Sequence, residues 1–171
     1  VTMQIGESFI GTGPSAAHVN TVLGDRSGPA GAAWATALAT PTAGHAPFVA
    51  VLQPGVPTRP PTLFVNKATV AGAAHANLTW GPAQAGIAAG VMDAVTAGVI
   101  DRERVDDLVV IAAVWVDPQA GPDDADAVYR NNRLATARAL QAGAHGRPTV
   151  DEALAAAEEP ANPFYTAPGG S

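Results

Sequence analysis

Two short runs rich in β-branched and apolar residues, 3–11 and 17–23, flank Gly13-Pro14-Ser15 and predict two strands joined by a turn. Gly24 to Pro29 reads as a loop, and Pro29 suits the first turn of a helix running to about Thr40. Residues 48–52 and 62–70 have strand character and are bridged by a Pro-rich loop at 54–61. Residues 72–98 have helical composition interrupted at Gly81-Pro82, which predicts a short helix, a break, and a longer helix from Ala83. Residues 107–116 are almost unbroken apolar, the pattern of a strand buried on both faces and so central in its sheet. Asp123 or Asp124 then caps a last helix reaching about Ala142.

The resulting order is β-β-α-β-β-α-β-α. Strand pairs separated by helices predict an α+β two-layer sandwich, a mixed sheet with its helices stacked on one side. Only the last strand-helix-strand crossover invites a parallel pairing. Residues 1–146 read as a single domain. Residues 147–171 turn to Ala, Pro, Gly and Glu and read as a C-terminal tail, partly ordered through a short helix at 150–158, with Pro163-Phe164-Tyr165 available to dock on a neighbour.

Composition narrows the function. The chain has 171 residues, enough for one cored domain, and 47% are hydrophobic against 14% charged, which excludes a disordered polyelectrolyte. With aromatics at only 5%, the core falls to Ala, Val, Leu and Ile. The formal charge is −6 and no stretch concentrates Lys or Arg, so nucleic acid is set aside as a partner. There are no cysteines, which removes disulfides and thiolate metal sites. No apolar run approaches the roughly 20 residues of a membrane helix, and the N-terminal residues lack a signal-peptide pattern. The expectation is therefore a cytoplasmic protein without membrane contact.

Lys67 is the only lysine, against eight arginines. A compact ammonium that shifts its pKa when buried fits places a guanidinium does not. Lys67 shares a strand face with Leu63, Val65 and Thr69, which sets it at the rim of an apolar surface. The bland alternative is an exposed lysine that serves solubility. His18 and Asn20 stand two apart on the second strand, sharing a face with Val22. A histidine titrating near neutrality can give or take a proton there, although a lone strand histidine is more often structural. Gly81-Pro82-Ala83-Gln84 opens a helix, where unpaired N–H groups can receive an anion or a ring carbonyl, but Gly-Pro is also ordinary helix punctuation. His45, His75 and His145 fit no metal-ligand spacing, and no phosphate-binding glycine loop or nucleophile elbow is present.

Several segments taken together resemble the formaldehyde-activating enzymes, tetrahydromethanopterin-dependent hydro-lyases. They are Ile5-Gly6-Glu7-Ser8 with Gly11, Ala17-His18-Val19, the run from Leu63 to Val70, Gly81 to Gly86, Asp93-Ala94-Val95 to Gly98-Val99-Ile100, and Asp106-Asp107-Leu108. They run colinearly from about residue 3 to about 146. The resemblance implies condensation of formaldehyde with a reduced pterin, a lyase chemistry of one-carbon metabolism that needs no metal. It implies His18 as the proton donor and pterin contacts at Lys67, Thr69 and Gln84, with Val49 where the family usually has Leu. It also implies a fold like the second domain of ribosomal protein S5 and a homo-oligomeric ring, typically a pentamer, with pockets between subunits.

Two positions depart from the family pattern. Asn20 stands where the family usually has Asp, and Ala85 stands where Gly-Pro-Ala-Gln commonly continues into His. A neutral amide keeps hydrogen bonding but loses the charge that would raise a neighbouring histidine's pKa. The alternatives are a paralogue acting on another amine or carbonyl compound, and a non-catalytic ligand-binding protein.

Overall fold

The computed structural model describes residues 3–166. The short turn Gly13–Ser15 folds strand β1 (Gln4–Ile10) back antiparallel on β2 (Ala17–Asp25). Strand β2 pairs antiparallel with β7 (Leu108–Val116), β7 pairs parallel with β6 (Thr62–Asn66), and the two-residue β3 (Phe48–Val49) closes the far edge against β6. The sheet order is β1-β2-β7-β6-β3, with the unbroken apolar strand in the middle. The parallel pair is the expected one, because the chain crosses from β6 to β7 through helices α2 (Gly72–Leu78) and α3 (Gln84–Thr96).

Alternation along the strands divides the sheet into two faces. Ala17, Val19, Ala112, Val114 and Phe64 turn toward α3 and form one buried cluster with Ile87. Leu23 and Val110 continue that layer with Val91, Ala94 and Leu140, the last from helix α4 (Ala125–Ala144). Helix α4 crosses β1 so closely that a Cβ on Gly6 would stand 1.7 Å from the Ala139 carbonyl oxygen. Gly86 and Gly90 admit α4 to α3 in the same way, each with a backbone carbonyl of α4 at 2.5 Å from where a Cβ would be. On the surface of this helix pair, Arg133 forks onto Asp93 at 2.6 and 2.8 Å.

Helix α1 (Pro29–Ala39) departs from the one-sided stacking expected of the helices. It packs on the opposite face, where Ala30 abuts Gly24 and Trp34 lies near Val109. The break at Gly81-Pro82 is also absent. A π-helical turn, Thr79–Ala83, joins α2 to α3, since its wider hydrogen-bond ring absorbs a proline that donates none. The strand expected over 48–52 divides at Ala50, after which β4 (Val51–Gln53) turns away to pair with β5 (Val56–Pro57). The strand expected over 62–70 stops at Asn66. Its side chain donates to the carbonyls of Gly44 and Ala68, which bends the chain out of the ladder.

After α4, helix α5 (Val150–Ala157) begins at a capping box in which Thr149 and Glu152 satisfy each other's backbone N–H groups. A small hairpin follows, β8 (Ala161–Asn162) with β9 (Tyr165–Thr166), and it sets the Phe164 ring edge-on to Trp115.

Candidate active site

The face opposite α3 and α4 carries His18, Asn20 and Val22 from β2, Glu7 and Phe9 from β1, Ala113 and Trp115 from β7, and Lys67 just beyond β6. Register aligns them in rows: Phe9, His18 and Trp115 in one, and Glu7, Asn20, Ala113 and Val65 in the next. Helix α1 starts over the far end of this face, at Gly24. The His18 end stays half open, with His18 and Asn20 both of intermediate exposure.

His18 Nε2 stands 2.9 Å from Glu7 Oε1, across the hairpin. The Phe9 ring lies 5.8 Å from the imidazole at 49°. Burial and then the Lys67 charge hold the His18 pKa below its ordinary value, while the Glu7 charge and hydrogen bond oppose them. Lys67 reaches across β7 to donate from Nζ to Asn20 Oδ1. Ala113, the register partner of Asn20 on β7, carries only a methyl beside that path. Burial also lowers the Lys67 pKa, with Glu7 opposing. With its oxygen facing an ammonium, Asn20 has N–H donors to present to a ligand.

The remaining sequence candidates do not join this group within one protomer. Thr69 lies past the end of β6, where its hydroxyl is 3.2 Å from His45 Nε2, and His45 Nδ1 is 2.8 Å from the Asn66 carbonyl. Val49 sits on the edge strand β3, with β6 and β7 between it and β2. Gln84 is buried at the start of α3 and accepts the Val51 N–H at 2.6 Å. His75 is structural: one ring nitrogen accepts from the Ala71 N–H at 2.9 Å and the other lies 3.0 Å from the Val116 carbonyl.

Sequence reasoning left out Glu7, Phe9 and Trp115. The signal for the first two lay in the hairpin, because a turn centred on Gly13-Pro14-Ser15 sets residues near 9 opposite residues near 18. Trp115 follows only once β7 is known to pair with β2. Among the described residues, no group of three His, Cys, Asp or Glu could hold a metal, and no helix is long and apolar enough to cross a membrane.

Comparison with known proteins adds an independent line. The family model described as formaldehyde-activating enzyme matches residues 5–165. A 5,6,7,8-tetrahydromethanopterin hydro-lyase of Methanosarcina barkeri is 44% identical over 161 residues, which cover 94% of this chain and 89% of the relative. A bifunctional enzyme Fae/Hps of Methanococcoides burtonii is 45% identical over 152 residues, 89% of this chain and 38% of the relative. Another, of Archaeoglobus fulgidus, is 42% identical over 161 residues, 94% of this chain and 40% of the relative. The chain thus spans nearly all of the first protein and about two fifths of each bifunctional one.

Proposed function

This chain belongs to the formaldehyde-activating enzyme family and is an enzyme of the lyase type, and on that premise we propose that it condenses formaldehyde with a reduced pterin of the tetrahydromethanopterin kind, with His18 as general acid. The observation that carries the reading is the His18–Glu7 pair on an open sheet face, beside the Lys67–Asn20 pair.

The chemistry asks for this arrangement. A secondary amine of the pterin adds to formaldehyde and gives a carbinolamine. Its hydroxyl must leave, and hydroxide is a poor leaving group, so His18 in its charged form donates a proton and water departs. The iminium ion that remains is attacked by the second amine, which closes a five-membered ring. The proton released by that amine returns to His18, and the balance is one water lost. Glu7 stabilises the charged imidazole, and Lys67 and Asn20 position the amine substrate. Thr69, Val49 and Gln84 supply further pterin contacts in this reading.

We take the enzyme to work in the cytoplasm as a homo-oligomer, a homopentamer in the ring form, with its catalytic domain within residues 1–146. The reaction in this form draws on no metal.

The test mixes the purified protein with formaldehyde and tetrahydromethanopterin and follows methylene adduct formation above the spontaneous rate. Wild type accelerates it, and His18→Ala loses about 10²- to 10⁴-fold of that acceleration while remaining folded. A variant as fast as wild type would remove His18 as the acid. A second reading, a family member acting on another amine, draws on Asn20, whose neutral amide offers donors where a carboxylate would offer charge. Failure of a well-folded protein to accelerate with either tetrahydromethanopterin or tetrahydrofolate would favour it.

A further inference from the structure

A cavity of about 520 Å³, lined by the register partners of His18 though not by His18 itself, opens past it on the side away from Asn20. Along the chain Ala16 precedes His18 by two residues and Asn20 follows it by two, so each lies about 7 Å from it along the strand. Ala16 lines the cavity, and Asn20 holds the lysine. Phe9 and Trp115, the two register neighbours of His18, form its walls. Phe164 comes from the turn of the C-terminal hairpin, its ring 6.0 Å from Trp115 at 84°. Because 81% of Phe164 is still exposed, most of its ring surface remains for a ligand.

We propose that this aromatic cavity is the subsite for the N-aryl arm of the amine substrate, with Phe164 as a specificity-determining residue. The inference rests on the pterin reading above. A product in which one carbon bridges two amines requires both nitrogens at that carbon. In a tetrahydromethanopterin-type substrate one nitrogen belongs to the reduced ring system and the other carries an aryl group. The molecule therefore leaves the reacting carbon in two directions.

With that carbon at His18, one direction leads to Asn20 and Lys67, whose polar groups suit the amide and amine edges of the pterin. The other leads into the cavity. An uncharged flat ring there gains edge-to-face and offset contacts with Phe9, Trp115 and Phe164. Thr12, Asp117 and Gln119 are the polar side chains of this mostly apolar lining, so the aryl ring suits this end while the polar pterin edge is met by Asn20 and Lys67. The tail beyond residue 146 thereby contributes to substrate choice rather than only to docking.

Two measurements on the full chain test this. In turnover with tetrahydromethanopterin, Phe164→Ala raises KM about tenfold while kcat changes by less than about twofold, and Phe164→Tyr restores KM. In saturation-transfer NMR, N-ethylaniline, an aryl arm without a pterin, gives a signal with wild type that tetrahydromethanopterin displaces and Phe164→Ala abolishes. An unchanged KM in Phe164→Ala overturns the assignment. So does an aniline signal that is absent from wild type or equal in wild type and variant, even where turnover is intact. If wild type fails to turn over and the aniline signal still depends on Phe164, the pterin reading falls and the aryl subsite stands.

Discussion

The proton on His18 answers to burial and to two charged neighbours. Burial and the Lys67 ammonium push its pKa down, and the Glu7 carboxylate pulls it up. A general acid must be charged before it can act, so the rate falls as pH rises through this pKa, which lies below the ordinary value of about 6.5. Glu7→Gln removes the anion, lowers the pKa further and moves the descending limb of the kcat profile to lower pH. Lys67→Met removes the cation and moves the same limb to higher pH. Opposite displacements, measured as kcat at saturating pterin across pH, are the signature of a histidine poised between the two charges. Displacements in the same direction, or none, would show that Glu7 and Lys67 do not set its proton affinity. Much of this was legible in the sequence: period-two alternation put His18 and Asn20 on one face, and a solitary lysine among eight arginines drew attention to Lys67. Glu7 was legible only through the hairpin register set by the turn at Gly13-Pro14-Ser15, not through spacing within a strand.

At the scale of elements, the sequence spoke clearly wherever one periodicity ran unopposed and poorly where the backbone changed partners. The apolar run ending at Val116 could only be a central strand. The end of β6 was hidden, because nothing in Lys67 to Val70 breaks a strand. The bend comes from Asn66 bonding to Gly44, 22 positions earlier, a tertiary contact no local pattern encodes. The π turn was hidden for the opposite reason. Gly-Pro normally stops a helix, and here a local change of hydrogen-bond register carries the helix past it. Helix approach is where glycine decides stability. Gly6→Ala forces a methyl into the Ala139 carbonyl and costs about 3 kcal/mol, near the upper end for overpacking. Gly81→Ala meets nothing within 4 Å and stays within about 0.5 kcal/mol of wild type. Urea unfolding of the two variants checks the contrast, and equal stabilities would mean that α4 can retreat from β1 at little cost.

For the whole molecule, one protomer looks incomplete. Helix α1 has no charged residue in its 11 positions and leaves Leu38 exposed, and Met3 and Ile5 are exposed at the edge strand. The candidate pterin residues also fall into two groups: His18, Asn20 and Lys67 on the open face, and Gln84 buried against Val51 at the other side of the sheet. A ring in which each pocket takes one group from each of two neighbours resolves both facts. For the homopentamer proposed above, light scattering is expected to give about 86 kDa. Complementation tests the sharing itself. His18→Ala removes the acid, while Gln84→Glu keeps an oxygen for the Val51 N–H and loses the amide donors, so each variant alone is nearly inactive. When the two are unfolded together at equal amounts and reassembled, a shared pocket receives an intact His18 half the time and an intact Gln84 half the time. About a quarter of wild-type activity therefore returns. A mixture no more active than the sum of its parts would mean that each protomer builds its pocket alone, and that the exposed apolar face serves assembly without serving catalysis.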